Sequence, residues 1–333
     1  APMAGGPSSV ALLASVGAAG GLGVLPGGYL TAEAFDRRIV ELQAVSDAPW
    51  AANLFLPGPR APDPGAVAAH ARALRPIADR HGVALGEPTW DDDGLEDKVR
   101  VLLDHRPVAI TFTFGIPAAE LVGRLRETTG AAILATATTA EEAARAEETG
   151  VDGLVLQGSE AGGHRGVHVD DPTDPAGGPL VPLVALVRRV AAETALPLVA
   201  AGGLHTGAGI RRILCSGASA VALGTALLAT PEAGTSAVHR AAILERRYDE
   251  TIITRGFTGR PARALANPLA RAFPRAPSGY PEIHHVTRPL RAAAARAEDP
   301  DAVHLWAGEG WRAATTEPAG ALVARLARDA GLD

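Results

Sequence analysis

The residues of this chain best suited to chemistry lie in one stretch, residues 152–166, which reads DGLVLQGSEAGGHRG. Its imidazole, His164, has an ordinary pKa near ~6.5 and can therefore give or take a proton close to neutral pH. Gly162 and Gly163 stand directly before it and carry no side chains, so a flat ligand can come close to the backbone while the ring is held nearby. Leu154, Val155 and Leu156 precede them as an apolar run too short for a helix, which stops at Gln157-Gly158. A strand buried on both faces reads this way. The stretch is thus expected to be a strand followed by an active-site loop. The competing interpretation is a tight strand-to-helix turn with a solvated histidine.

Other chemistries find little support. The strand ends carry no paired carboxylates, which argues against glycoside hydrolysis. Asp91, Asp92 and Asp93 lack the spaced ligands and distal glutamate of a calcium loop and read as a solvated turn. His284 and His285 are adjacent, so their side chains point apart on any regular element, and no histidine or cysteine cluster has metal-ligand spacing. The net charge of -6 and an aromatic content of 4% give neither a basic face for a phosphate backbone nor a stacking platform. Nucleic acid is therefore an unexpected partner. A single cysteine, Cys215, rules out an internal disulfide; in IRRILCSGA it reads as a buried helix position without chemistry. No apolar run approaches the roughly 18 residues of a membrane span and no signal-like segment opens the chain, so no membrane partner and a cytoplasmic location are expected. An organic cofactor with one acid/base histidine is the simplest chemistry left, acting on a small molecule.

Positioning such a histidine requires a scaffold, and the chain alternates as one. It has 333 residues, 47% of them hydrophobic, with 38 glycines and 26 prolines marking frequent element boundaries. It opens at Ala1-Pro2-Met3 without an initiator methionine, so a first strand is expected to have lost its beginning and to end at Pro2-Met3. A helix over 9–18 and a strand over 22–25 follow. The intervening Gly20, Gly21 and Gly23 are not a dinucleotide fingerprint, because helix precedes them and strand follows. Thr31 caps a helix ending near Ser46-Asp47, the strand at 50–56 holds the polar Asn53, a helix covers 66–81, and 99–103 is the end of another helix beyond the loop of Asp91, Asp92 and Asp93. Strands at 108–114, 131–137, around Leu154, 197–201 and 220–223 then alternate with helices at 118–128, 140–148, 180–192 and 209–216. Eight strands joined by helices predict an α/β fold, a closed parallel (β/α)8 TIM barrel whose chemistry gathers at the strand C-terminal ends.

Those ends present Met3, Asn53, Thr113, Gln157 and His164, a mostly neutral set. Asn53 is either a ligand contact or an amide satisfying a neighbouring loop. The last two strands end in Ala201-Gly202-Gly203 and Gly224-Thr225, where such barrels often bind phosphate through backbone amides, and Thr206 can cap the following helix. Residues 231–300 break the alternation and are expected to form a smaller helical lobe capping the barrel mouth; the barrel is assigned 1–230 and 301–333. Arg255, Arg260 and Arg263 in that lobe are either surface arginines or contacts to an anionic substrate. Trp306 and Trp311 read as packing residues.

The ordered set APM at 1–3, AANLF at 51–55, QGSEAGGHRG at 157–166, AAGG at 200–203, ALGTALLATPE at 222–232, TRGFTGRPARALAN at 254–267 and WAGEGW at 306–311 resembles the FMN-dependent nitronate monooxygenase (2-nitropropane dioxygenase-like) family. The resemblance implies FMN as cofactor, with the backbone around Met3 and Ala4 near the reactive edge of the flavin and Asn53 and Gln157 bonding its ring. It implies that Gly162 and Gly163 let the ring lie close, that Ala201, Gly202, Gly203, Gly224 and Thr225 hold the phosphate, and that His164 is catalytic. The implied reaction is oxidation of nitronates or nitroalkanes by O2 to a carbonyl compound and nitrite. Some members place a histidine where this chain has Thr113, and the usual Glu-Ser after the last barrel strand is Glu232-Ala233 here. Enoyl-acyl carrier protein reductases and some flavin-dependent quinone reductases share a similar EAGGH loop. An NAD(P)H-dependent FMN reductase therefore stays open as an alternative, as do a flavin-binding module without catalysis and assembly as a homodimer.

Overall fold

The computed structural model describes residues 1–332. Its strands are β1 (Gly23–Pro26), β2 (Trp50–Phe55), β3 (Ala109–Thr113), β4 (Ala132–Ala137), β5 (Gly153–Gln157), β6 (Gly163–His164), β7 (Leu198–Ala201), β8 (Ala220–Ala222), β9 (Thr251–Thr254) and β10 (Ala262–Leu265). Among the described residues, seven of these form one parallel sheet in the order β1-β2-β3-β4-β5-β7-β8, a TIM-barrel-like arrangement. The register aligns Asn53 with Thr111 and Gln157 with Ala201, which in turn faces Ala222. The strand C-terminal ends therefore meet on one side of the sheet.

The residues explain the sheet. Every residue of β2 is buried, and Leu154 and Leu156 of β5 are fully buried, as strands covered on both faces require. Each buried leucine contributes roughly 1.5–3 kcal/mol relative to an exposed one. Ala52, Ala135 and Ala200 have no exposure and leave room for the larger neighbours.

The helices are α1 (Val10–Ala18), α2 (Ala32–Val45), α3 (Pro64–Arg80), α4 (Leu95–His105), α5 (Ala119–Thr129), α6 (Ala140–Glu147), α7 (Leu183–Ala191), α8 (Gly207–Leu214), α9 (Ala237–Leu244), α10 (Pro268–Ala272), α11 (Glu282–Arg296) and α12 (Ala319–Ala330). Ser9, Thr31, Asp63 and Thr206 cap four of them through their side chains. In α7, Leu183, Leu186, Val187 and Val190 recur at helical spacing and form the face that packs on the sheet.

Three expectations are corrected here. Pro2 and Met3 form no strand; the nitrogen of Ala1 reaches the Leu223 carbonyl at 2.8 Å beyond β8, while Met3 N–H turns to Ser8 Oγ at 2.9 Å. The lobe is not purely helical, because β9, β10 and β6 pair antiparallel in a three-stranded sheet. Cys215 is exposed at the end of α8 rather than buried, since Ile210 and Ile213 take the inward face.

Around the small sheet gathers a second apolar cluster that includes Phe257, Leu269, Leu290, Val303, Leu305 and Trp311, joined by Leu74 of α3. Helix α12 packs instead on α1 and α8, placing Leu322 and Leu326 against Leu12 and Ile210.

Candidate active site

Between the strand ends and the lobe lies a cavity of about 1160 Å3. It brings together Met3, Ala4, Asn53, Gln157, Gly162, Gly163, His164, Ala201, Gly202, Gly203, Gly224 and Thr225. All were singled out from the sequence, though several do something other than expected.

On the barrel side the wall is neutral. Asn53, 2% exposed, gives its amide N–H groups to Thr111 and Thr113, with Nδ2 at 2.9 Å from Thr111 Oγ1 and 3.0 Å from Thr113 Oγ1. Its carbonyl oxygen is the end left for a ligand. Gln157 uses both ends of its amide on the chain: Nε2 donates to the His164 carbonyl at 3.0 Å, and Oε1 accepts from Gly166 N–H at 2.7 Å. In this structure Gln157 therefore shapes the histidine segment. Gly202 and Gly203 have φ of +130° and +67°, backbone angles that L side chains rarely adopt. Among the described residues, the N–H groups of Gly203, Gly224 and Thr225 meet no protein acceptor. They form a set of open donors at the ends of β7 and β8.

His164 does not sit on a loop. It pairs with Ala262 as part of β6, an edge of the lobe's small sheet. The glycine before it but one, Gly162, is needed for a neighbouring segment: a Cβ there would lie 2.3 Å from Gly308 N. Gly163, with φ +74°, faces open space.

The imidazole is enclosed by aromatic rings, with centroids of Phe114, Tyr280 and Trp306 at 5.8, 5.9 and 5.2 Å. Its Nε2 lies 2.9 Å from Thr258 Oγ1, and that hydroxyl also has the Arg260 carbonyl at 3.3 Å. Donation of the hydroxyl proton to the carbonyl makes Nε2–H the donor to Thr258 and leaves Nδ1 as the free base. Burial, then the charges of Arg260 and Arg291, push the His164 pKa down to about 3. The expectation of an ordinary imidazole pKa is corrected accordingly: the ring is neutral throughout the physiological range.

The three lobe arginines are neither surface groups nor cavity contacts. Arg255 is 1% exposed and pairs with Asp170 at 2.5 Å. Arg260 donates to the carbonyls of Arg165 and Val167 and lies 4.0 Å from the Phe114 ring. Arg263 donates to the Ser159 carbonyl at 2.7 Å and pairs with Glu309 at 3.2 Å. Asp93 is likewise no solvated turn residue. It accepts from Tyr29 N–H at 3.0 Å and from the buried ammonium of Lys98 at 2.7 Å.

Sequence reasoning missed most of the lobe-side wall: Tyr29, Phe114, Thr258, Tyr280, His284 and Arg291. His284 stacks on Tyr29 with centroids 4.4 Å apart and planes 2° from parallel, joining a barrel loop to α11 across the cavity mouth. Nothing local in the sequence marks that pair.

The nitronate monooxygenase family model matches residues 1–329. A nitronate monooxygenase from Pseudomonas aeruginosa is 39% identical over 99% of this chain and 94% of its own, and one from Paraburkholderia phytofirmans is 38% identical over 99% and 90%. The crystal structure of nitroalkane oxidase from Streptomyces ansochromogenes superposes with a TM-score of 0.95 at 44% identity, covering 99% of this chain and 94% of that one. FabK from Thermotoga maritima, at 23% identity and a TM-score of 0.75, shares the fold.

Proposed function

The chain belongs to the nitronate monooxygenase family, and from that premise we propose that it oxidises nitronates and nitroalkanes with FMN and O2, releasing a carbonyl compound and nitrite. The observation that carries this reading is the neutral imidazole of His164, walled by aromatic rings and sharing one cavity with the open amides at the ends of β7 and β8.

These residues fit the cofactor. A cavity of about 1160 Å3 exceeds the roughly 300–1,000 Å3 of an ordinary ligand pocket, leaving room for a nucleotide and a small substrate. The unpartnered N–H groups of Gly203, Gly224 and Thr225 suit a phosphate, and the positive φ of Gly202 and Gly203 keeps side chains out of their way. The Asn53 carbonyl oxygen and the backbone at Met3 and Ala4 are the groups for the ring. When bound, FMN supplies the redox step, taking electrons from the substrate and passing them to oxygen.

The chain's own residues do the rest. His164 Nδ1, the unprotonated nitrogen, can accept the proton at the carbon bearing the nitro group. Thr258 fixes the ring through Nε2, and Gln157 fixes its backbone through the carbonyl. Phe114, Tyr280 and Trp306 exclude water around it, which strengthens each polar contact made there. The charges of Arg260 and Arg291, which depress the imidazole's basicity, also favour an anionic substrate beside it.

The reading is tested by the visible spectrum of the purified protein and by nitrite release from ethyl nitronate under air. A yellow protein that forms nitrite is expected. A colourless protein that refuses added FMN would end the proposal. So would a flavin that NAD(P)H bleaches rapidly without oxygen while a nitronate leaves it unchanged.

A further inference from the structure

The buried cations of this molecule are nearly all matched. Lys98 has Asp93, Arg255 has Asp170 and Arg263 has Glu309; Arg165 donates to the carbonyls of Ala176, Gly178 and Pro179. Arg260 has two carbonyls and an aromatic face.

Arg291 is different. It is 6% exposed, it lines the cavity that holds His164, and among the described residues no carboxylate lies within ion-pair distance. Its Nε donates to Thr287 Oγ1 at 3.0 Å, and its Nη2 reaches the His284 carbonyl at 3.1 Å and His284 Nδ1 at 3.2 Å. Nη1 has no partner among the described residues. Tyr29 and Tyr280, whose charges it would feel, supply no anion: burial raises both phenols, Tyr29 to about 12. Burial lowers Arg291 itself only to about 10, so it remains a cation at neutral pH. A guanidinium taken out of water is destabilised unless an anion or a full set of acceptors compensates it.

His284 completes the geometry. Because Nδ1 accepts from Arg291 and the ring is neutral, with its pKa pushed down by burial and by Arg291, the proton must sit on Nε2. Stacking on Tyr29 holds the ring in place. The cavity therefore offers the Nη1 N–H groups of a cation and one neutral N–H, with no partner for either among the described residues.

We propose that Arg291, assisted by His284 Nε2–H, binds the charged NO2 end of the nitronate and makes the site select the anion over the neutral nitroalkane. The ligand class is a small planar monoanion with two oxygens on one atom, which also describes nitrite, the product. The directed N–H donors of Arg291 Nη1 and His284 Nε2 suit that shape in a way that a point charge does not. This specificity role rests on the nitronate reading of the site.

The test compares the flavin-loaded wild type with R291Q and R291K, using ethyl nitronate and nitroethane. Loss of one charge-assisted bond is expected to raise KM for ethyl nitronate roughly 10- to 100-fold in R291Q, with the KM for nitroethane changing by no more than about threefold. Competitive inhibition by nitrite should weaken by the same factor as nitronate binding. R291K should fall between, since it keeps the charge and loses the directed guanidinium N–H donors. Nitrite binding is read independently through tryptophan fluorescence, because Trp306 lines the same cavity. If R291Q does not fold, R291K and the fluorescence titration decide the matter alone. Equal KM increases for the ion and the neutral compound, unchanged nitrite inhibition, or a loss confined to kcat would overturn the proposal. Failure of the wild type to turn over any nitronate would instead remove the reaction, while Arg291-dependent nitrite binding would still stand as an anion site.

Discussion

The two walls of the cavity are built on opposite principles. The barrel wall is made of strand ends whose backbone amides and one carboxamide do the binding, and the nearest φ values exclude side chains. The lobe wall is made of side chains: three aromatic rings, several imidazoles and a guanidinium, drawn from segments far apart in the chain. A backbone wall is stiff and indifferent to pH. A side-chain wall can be charged, can titrate, and carries the proton chemistry.

The largest expected effect separates these roles. His164→Ala should retain flavin, because the amides that would hold it lie on the other wall, while turnover drops about 10²- to 10⁴-fold. Flavin content from the visible spectrum and nitrite release measure the two separately. A variant that loses its flavin would show that the walls are not independent.

The second comparison lies within the histidine segment. Gly162→Ala places a methyl 2.3 Å from Gly308 N, where backbone meets backbone and neither can give way cheaply. Overpacking of this kind costs roughly 1–3 kcal/mol and should displace His164, lowering both Tm and kcat. Gly163→Ala meets no protein atom within 4 Å and incurs the left-handed conformational cost, about 1–2 kcal/mol, which lowers Tm without displacing the Gly308 segment. Equal loss of turnover in the two would show that the neighbouring segment at Gly308 does not set the histidine.

How legible these walls are in the sequence follows from their construction. Gly202, Gly203, Gly224 and Thr225 end strands that alternate regularly with helices, so pattern and position identify them together. Strand β6 is two residues long and exists only because β10 lies beside it, so no periodicity could reveal it. Tyr29 and His284 meet only through the fold. Asp93 resembles a solvated turn residue because Lys98, its buried partner, reads as an ordinary exposed lysine on α4. Gly162 was expected to make way for a ligand; the segment at Gly308 that requires it arrives from a distant part of the chain. Contiguous motifs report backbone chemistry well, and side-chain cavities assembled across the chain report themselves poorly.

A third effect should appear in pH-dependent stability, and it belongs to the lobe wall. Burial depresses the folded pKa values of His164 to about 3 and His239 to about 4, and pushes those of His284 and His304 down as well. In the unfolded chain each returns to about 6.5. Between those values the unfolded state binds more protons, so the stability these neutral rings contribute is complete above pH 6.5 and is lost as pH falls toward their folded values. For His239 alone the loss by pH 5 is about 2 kcal/mol. Urea unfolding at pH 7.5 and pH 5 should show the decline, and His239→Phe should reduce its slope. A stability that is flat across this range would contradict the burial assigned to these imidazoles.

The smallest effect probes how the imidazole is held. Thr258→Val keeps the shape of the side chain and removes the hydroxyl that meets His164 Nε2 at 2.9 Å. The Arg260 carbonyl loses the bond from this hydroxyl at 3.3 Å, and Arg260 N–H loses a long contact at 3.4 Å. A net hydrogen bond of this kind contributes about 0.5–1.5 kcal/mol, which predicts a fall of roughly 2- to 10-fold in kcat/KM, with a lower Tm because the buried Nε2–H is left without an acceptor. The aromatic rings around His164 are untouched by the substitution, so they should keep the ring near its position and prevent a larger loss. A drop as deep as that of His164→Ala would mean that the Thr258 hydroxyl, and not the aromatic enclosure, sets the working tautomer. The lobe wall would then depend on one bond in the way the barrel wall depends on its backbone.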